Sequence, residues 1–208
     1  MPGTSAASYD CQVTIVSDLE RARRLAFAAD ETAAKELLLS LESQIEQADR
    51  DDVLLEVYAQ LGEIYLIRTA YDGVEEAIRR IRDCLGSYPA KQVTMSDAEV
   101  DHMICRYSRR AQFLQTGLAA AYGDHEAAEA GLLALTDAAT GEFPELVDEH
   151  EYLVTFARIL CATALCDDDL HVQSVPLWEK VIDAIGGTAD GSEFDDYQIG
   201  RASCRERV

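Results

Sequence analysis

Apolar residues return every three or four positions along most of the chain, as in Leu54, Tyr58, Leu61 and Tyr65, then Val74, Ile78, Ile81 and Leu85. That interval lines one face of an α-helix, and the strict alternation of a half-buried strand is missing, so the fold class expected is all-α. Turn-forming or charged stretches interrupt the pattern at "ADRDD" (48–52), "AYDG" (70–73), "GSYPAKQ" (86–92), "GD" (123–124), "TGEFP" (140–144) and "DDDLHVQSVP" (167–176). Eight helices are therefore expected, at about 17–29, 31–48, 52–69, 73–86, 97–122, 125–139, 145–166 and 175–186, paired as four antiparallel hairpins. Ser17-x-x-Glu20 and Ser96-x-x-Glu99 have the form of capping boxes, and Asp72-x-x-Glu75 places two acids where a helix begins. The small polar residues Met1 to Asp10 have little to pack. The domain division expected is a disordered segment 1–15, a helical repeat domain 16–188, and a disordered tail 189–208.

Two segments share a skeleton. In "AFAADETAAKELLLSL" (26–41) and "AAYGDHEAAEAGLLAL" (120–135), Ala29-Asp30 matches Gly123-Asp124, Ala34 matches Ala128, Leu38 matches Leu132 and Leu41 matches Leu135, while His125 has no counterpart. With Ala22 and Leu25 ahead of the first segment, and Thr116 and Ala119 ahead of the second, these positions resemble the signature of the tetratricopeptide repeat. A second unit carries Leu61-Gly62, Tyr65, Ala77 and Ile81, with a turn that reads three residues longer. A fourth gathers around Cys161, Leu165, Leu177 and Trp178. The interval from Ala34 to Ala77 to Ala128 is 43 and then 51 residues, longer than the ~34 of the standard repeat. It is similar to the longer-helix arrays appended to bacterial transcription activators, signalling ATPases and cyclases.

The resemblance implies antiparallel helical hairpins stacked as a right-handed superhelical array, truncated at the C-terminus, in which each hairpin uses its neighbour as the other half of its core. Ala22, Gly62, Thr116 and Cys161 would let paired helices approach, and Leu38, Ile81 and Leu132 would fill the gap to the next pair. It also implies a concave groove along the first helices. Arg23, Arg110 and Arg158 would line it, Arg106 and Arg109 would lie close by, and Phe27, Leu66, Ile67 and Phe113 would add apolar contacts. Guanidinium forks hold carboxylates bidentately, so such a groove would suit an acidic or C-terminal peptide group. The plainer reading is that these arginines neutralise acids on the same face, such as Glu56 and Glu63.

The closing string "IGRASCRERV" (199–208) puts three arginines after a very acidic segment. It resembles the translation of sequencing-adapter read-through, so it is expected to be an artefact rather than part of the fold.

Charge narrows the partners. The formal net charge of −21 would repel phosphate backbones, which disfavours nucleic-acid binding. Apolar runs such as "LVTFARILCATALC" are too short or too interrupted to span a bilayer, so no membrane association and a cytoplasmic location are expected. Six cysteines without a C-x-x-C pair read as reduced thiols.

Candidate chemistry is sparse. Asp124 and Asp30 are placed to cap the helices that follow them, which makes His125 an exposed first-turn residue rather than a metal ligand. "CDDDLH" (166–171) is the most metal-like string, read first as a solvated acidic loop, with a metal-dependent enzyme as the other reading. His102 with Cys105 lacks a glycine-rich elbow, and "DEHEY" (148–152) reads as an acidic first turn. No catalysis, cofactor or metal is expected. The function expected is a protein- or peptide-binding scaffold or adaptor, its partner possessing an acidic group. The alternative is the N-terminal regulatory arm of a larger signalling enzyme or transcription regulator whose working domain lies beyond Gln198.

Overall fold

The computed structural model describes residues 6–28, 30–47, 51–91, 95–138 and 143–187, and their regular structure is entirely helical. The elements are α1 (Ala6–Phe27), α2 (Glu31–Gln47), α3 (Asp51–Ile67), α4 (Tyr71–Lys91), α5 (Asp97–Ala121), α6 (His125–Asp137), α7 (Val147–Asp167) and α8 (His171–Gly187). A single 3-10 turn, Pro144–Leu146, leads into α7.

One turn recurs four times. The amide of Asp30 donates to the Leu25 carbonyl, Ala70 to Tyr65, Asp124 to Ala119 and Leu170 to Leu165, each at 2.7 to 2.9 Å or 3.0 Å. Thr69, Gly123 and Asp169 each donate one step inside that bond, to Leu66, Ala120 and Cys166. These paired bonds satisfy carbonyls that a helix end would leave orphaned, and they require a left-handed residue just after the helix. Thr69, Gly123 and Asp169 supply it, at φ 56°, 71° and 60°. The last turn residue then starts the next helix: Asp124 accepts from the Ala127 amide at 3.1 Å, and Asp30 accepts from Ala33 at 3.3 Å.

Aligning the hairpins on this turn puts Ala22, Gly62, Thr116 and Ala162 at one position and Ala34, Val74, Ala128 and Ser174 at another, all of them buried. Small or compact side chains there let paired helices close. A methyl added at Gly62 would come within 3.2 Å of Ala77 on the paired α4 and 2.5 Å of Leu114 on α5, and one at Gly131 within 2.5 Å of the Thr116 hydroxyl. The second helices start at Glu31, Tyr71, His125 and His171, spaced 40, 54 and 46 residues apart.

Packing follows chain order. Within hairpins, α1 pairs with α2, α3 with α4, α5 with α6 and α7 with α8. Between hairpins, α2 meets α3, α4 meets α5 and α6 meets α7, while α1, α3, α5 and α7 touch in succession. The core runs through these seams, from Leu38, Leu41 and Ile45 through Leu55, Val57, Ile81, Phe113 and Leu114 to Leu135 and Leu153.

Several expectations change. Helix α1 begins at Ala6, inside the segment expected to be loose, so Ser17 lies mid-helix and caps nothing. The second turn is no longer than the others, and its counterpart of Ala34 is Val74 rather than Ala77. In the fourth hairpin Ala162 and Ser174 hold the crossing positions, with Cys161 one residue away. Helix α4 runs through Gly86 to Lys91, where Ser87 Oγ donates to the Asp83 and Cys84 carbonyls instead of ending the helix. Helix α8 starts at His171 and carries Pro176 in its second turn, with Ser174 Oγ donating to the His171 carbonyl at 2.8 Å. The Ser96 capping box forms in both directions, at 3.3 and 2.8 Å. The whole tail 189–208, the string 199–208 included, lies outside the described residues.

Candidate functional site on the first-helix face

Where α3, α5 and α7 run side by side, helical spacing brings Glu56, Gln60 and Glu63 from α3 against Arg106, Tyr107 and Arg110 from α5 and Glu149 from α7. Arg110 is at the centre. Its side chain is only 9% exposed, and its guanidinium donates to Glu56 at 2.8 Å and to Glu63 at 2.7 Å, with Glu149 at 3.8 Å. Arg106 donates to Glu149 at 2.7 Å and stands 3.7 Å from Glu56. Glu56 also accepts from the Tyr107 hydroxyl and from Gln60 Nε2, each at 2.8 Å.

These contacts fix the charge states. Burial pushes the Glu56 carboxyl upward, but Arg110, the Gln60 bond and Arg106 together outweigh it and hold the group at about 2, against an ordinary 4.5. Burial opposes the charge on Arg110 as well, and the surrounding carboxylates overcome that opposition and raise it well above its usual value. Tyr107 is pushed up by burial and by the Glu56 carboxylate, so it stays a neutral donor. The plainer sequence reading of Arg110, as the neutraliser of Glu56 and Glu63, matches these contacts.

Beside the network, Arg106, Arg109, Leu146, Glu149, His150 and Leu153 line a shallow cleft with about 160 Å³ of free space counting its open mouth. Most of that space is open solvent, and the enclosed part holds about one water molecule. His150 is buried there, and its Nδ1 makes no hydrogen bond within the described protein. Burial, then the charge of Arg109, lower its pKa below the ordinary imidazole value, so the ring is neutral near pH 7.

The other groove residues scatter. Phe113 is wholly buried and stacks on Phe156 at 5.4 Å between ring centres, and Leu66 is buried, so both belong to the core rather than to a groove wall. Their small neighbours draw them inward: a methyl on Gly117 would come within 2.6 Å of Leu66. Ile67 is 38% exposed at the end of α3, Arg23 is exposed on α1, and Arg158 is half-buried on α7. The Phe27 side chain lies outside the described ones. Sequence reasoning gave no role to Tyr107 or Gln60, and read His150 only as part of an acidic first turn. The spacing of Glu56, Gln60 and Glu63 on one helical face was the signal for Gln60.

The turn end holds a second set of contacts. His125 is half-buried and its Nε2 donates to Asp168 at 2.8 Å, joining the third hairpin to the fourth, where a plain exposed residue was expected. Asp169 is spent on the left-handed turn, with His171 at 3.7 Å from it, and Cys166 Sγ donates to Ser174 Oγ at 3.2 Å. His102 packs edge-on against Phe143 at 5.3 Å and faces Glu145 at 3.4 Å. Among the described residues no group of three or more His, Cys, Asp or Glu side chains is arranged to hold a metal ion, and no helix is long and apolar enough to cross a membrane.

The fold and this site define a class: an all-α protein of helical hairpins joined by one repeated turn, with a buried ion network on its first-helix face. Compared with protein-family models, with curated proteins and with solved structures, the chain matches none.

Proposed function

We propose that the chain is a protein- or peptide-binding helical-repeat scaffold of the tetratricopeptide type, using its first-helix face for recognition. One observation carries the reading: hairpins closed by the same turn pack in chain order, α1, α3, α5 and α7 in succession. Helices arranged this way present one lengthwise surface to a partner, which is how stacked repeats recognise extended chains. Arg110, bound to its own carboxylates, serves as the internal brace of that surface. Capture of a partner's carboxylate falls instead to the cleft beside it, where Arg109 adds positive charge next to the Arg106–Glu149 pair and His150 supplies a neutral ring.

Fluorescence anisotropy with two labelled decapeptides of one sequence, one ending in a free carboxylate and one amidated, tests this. The carboxylate form should bind at least about tenfold more tightly, a difference near 1.4 kcal/mol, and Arg109→Met should erase the preference. Equal affinities, or no saturable binding of either peptide, would contradict it.

A further inference from the structure

His150 is buried beside the ion network without belonging to it. Only 8% of the residue is exposed, and its Nδ1 has no hydrogen-bond partner in the described protein. Native interiors rarely keep a buried ring nitrogen unbonded unless it serves a purpose. The ring stands in the first turn of α7 and lines the cleft together with Arg106, Arg109 and Glu149. An unbonded polar nitrogen and a water-sized enclosed space thus belong to the same few residues.

The charges that act on the ring are Arg109 of α5, which opposes its protonation, and Glu151 of α7, which favours it more weakly. Arg106 of α5 is held by Glu149 at 2.7 Å, and Glu149 also stands 3.8 Å from Arg110. In the 3-10 turn, Glu145 faces His102 of α5 at 3.4 Å. Burial, joined by Arg109, therefore prevails, and the ring is neutral next to a cation. An anion in the cleft reverses that balance, because an opposite charge within a few ångströms favours the imidazolium, which has a second N–H to donate. A carboxylate suits the space. One of its oxygens has the size of the single water that the enclosed part holds, and the rest of the group stays in the open mouth.

We infer that a partner's carboxylate enters this cleft together with a proton, which the His150 ring takes up, so that acidity strengthens the capture. The inference rests on the reading of the cleft proposed above and adds its regulation. Without a partner the ring stays neutral; with one, carboxylate and imidazolium offset each other's charge in the same small space. The bound form holds the proton more tightly than the free form. Affinity is therefore level at high pH, rises as pH falls through the interval between the free and bound values, and levels off again below the free one. One proton per carboxylate limits the rise to about tenfold per pH unit. The partner's terminal carboxyl stays ionised throughout, since it titrates at about 3.5.

The carboxylate and amidated decapeptides, acetylated at the amino end and free of Asp, Glu, His and Cys, test this when titrated from about pH 7.5 to about pH 5.5. The carboxylate form should bind about tenfold more tightly at the acid end, and the amidated form should show no such rise. Calorimetry of the unsubstituted chain in two buffers of small and large ionisation enthalpy, at a pH inside the rise, should count an uptake approaching one proton. His150→Gln, which keeps a neutral polar side chain, should flatten the pH dependence, with circular dichroism reporting on its helices. A carboxylate preference that is the same at every pH, or binding without proton uptake, would overturn this inference while leaving the cleft as the capture site. An undiminished pH dependence in His150→Gln would place the proton on another group and overturn it too. No preference for the carboxylate at any pH would overturn both readings together.

Discussion

Replacing Arg110 by methionine keeps the length and apolar stem of the side chain and removes the one cation that Glu56, Glu63 and Glu149 share. The side chains of the three acids are 20%, 20% and 25% exposed, so their charges are poorly relieved by water. Breaking a buried pair by deleting one partner costs roughly 3–5 kcal/mol. Arg106 stays bonded to Glu149 and near Glu56, which favours the lower figure. The Glu56 carboxyl shows the same balance, since Arg110, the Gln60 bond and Arg106 together depress it from 4.5 to about 2 against its burial. A group held below its ordinary value stabilises the fold fully above about pH 4.5, and its contribution fades as pH falls toward 2. Urea unfolding at pH 7 should therefore show Arg110→Met less stable by about 3 kcal/mol, and at pH 3 the gap should narrow as the freed carboxylates take up protons. A gap under about 1 kcal/mol at pH 7, the range of a surface ion pair, or one that is the same at both pH values, would refute this reasoning.

The shared turn makes a prediction with opposite signs. Thr69→Gly, at φ 56°, should raise the melting temperature by a gain of about 0.5–1 kcal/mol, while Gly123→Ala, at φ 71°, should lower it by a similar amount; shifts in the same direction would show that the turns are not equivalent. Ser96→Ala removes the acceptor for the Glu99 amide and should cost about 1 kcal/mol in thermal unfolding, with no loss meaning that the α5 cap contributes nothing.

Much of the fold was legible because its signals are local. The helices starting at Glu31, Asp97 and His125 began where their caps or turns indicated. The errors came where one local signal competed with another. Ala77 drew the second repeat out of register because a small residue marks a helix crossing, but the crossing there uses β-branched Val74, and the turn offset shared with Asp30 and Asp124 was the better guide. Gly86 and Pro176 read as helix ends, yet Ser87 and Ser174 bond to helix carbonyls beside them and the helices continue. The site was harder to read. The sequence brought Arg110 together with Glu56 and Glu63 on one face, but whether a side chain is spent inside the protein or offered to a partner depends on how closely α3, α5 and α7 approach. The glycines and Thr116 at the crossings set that distance, and it pulled Leu66 and Phe113 into the core.

Hydrogen exchange on Ala34→Phe, read helix by helix, tests the chain-order packing most directly. Ala34 is fully buried at the crossing of the first hairpin, and overfilling it should cost about 1–3 kcal/mol. If stability is built from each hairpin and its neighbour, exchange should accelerate in α1, α2 and part of α3 while α5 to α8 keep their protection. Acceleration of equal size from α1 through α8 would mean a single cooperative core and would contradict the account.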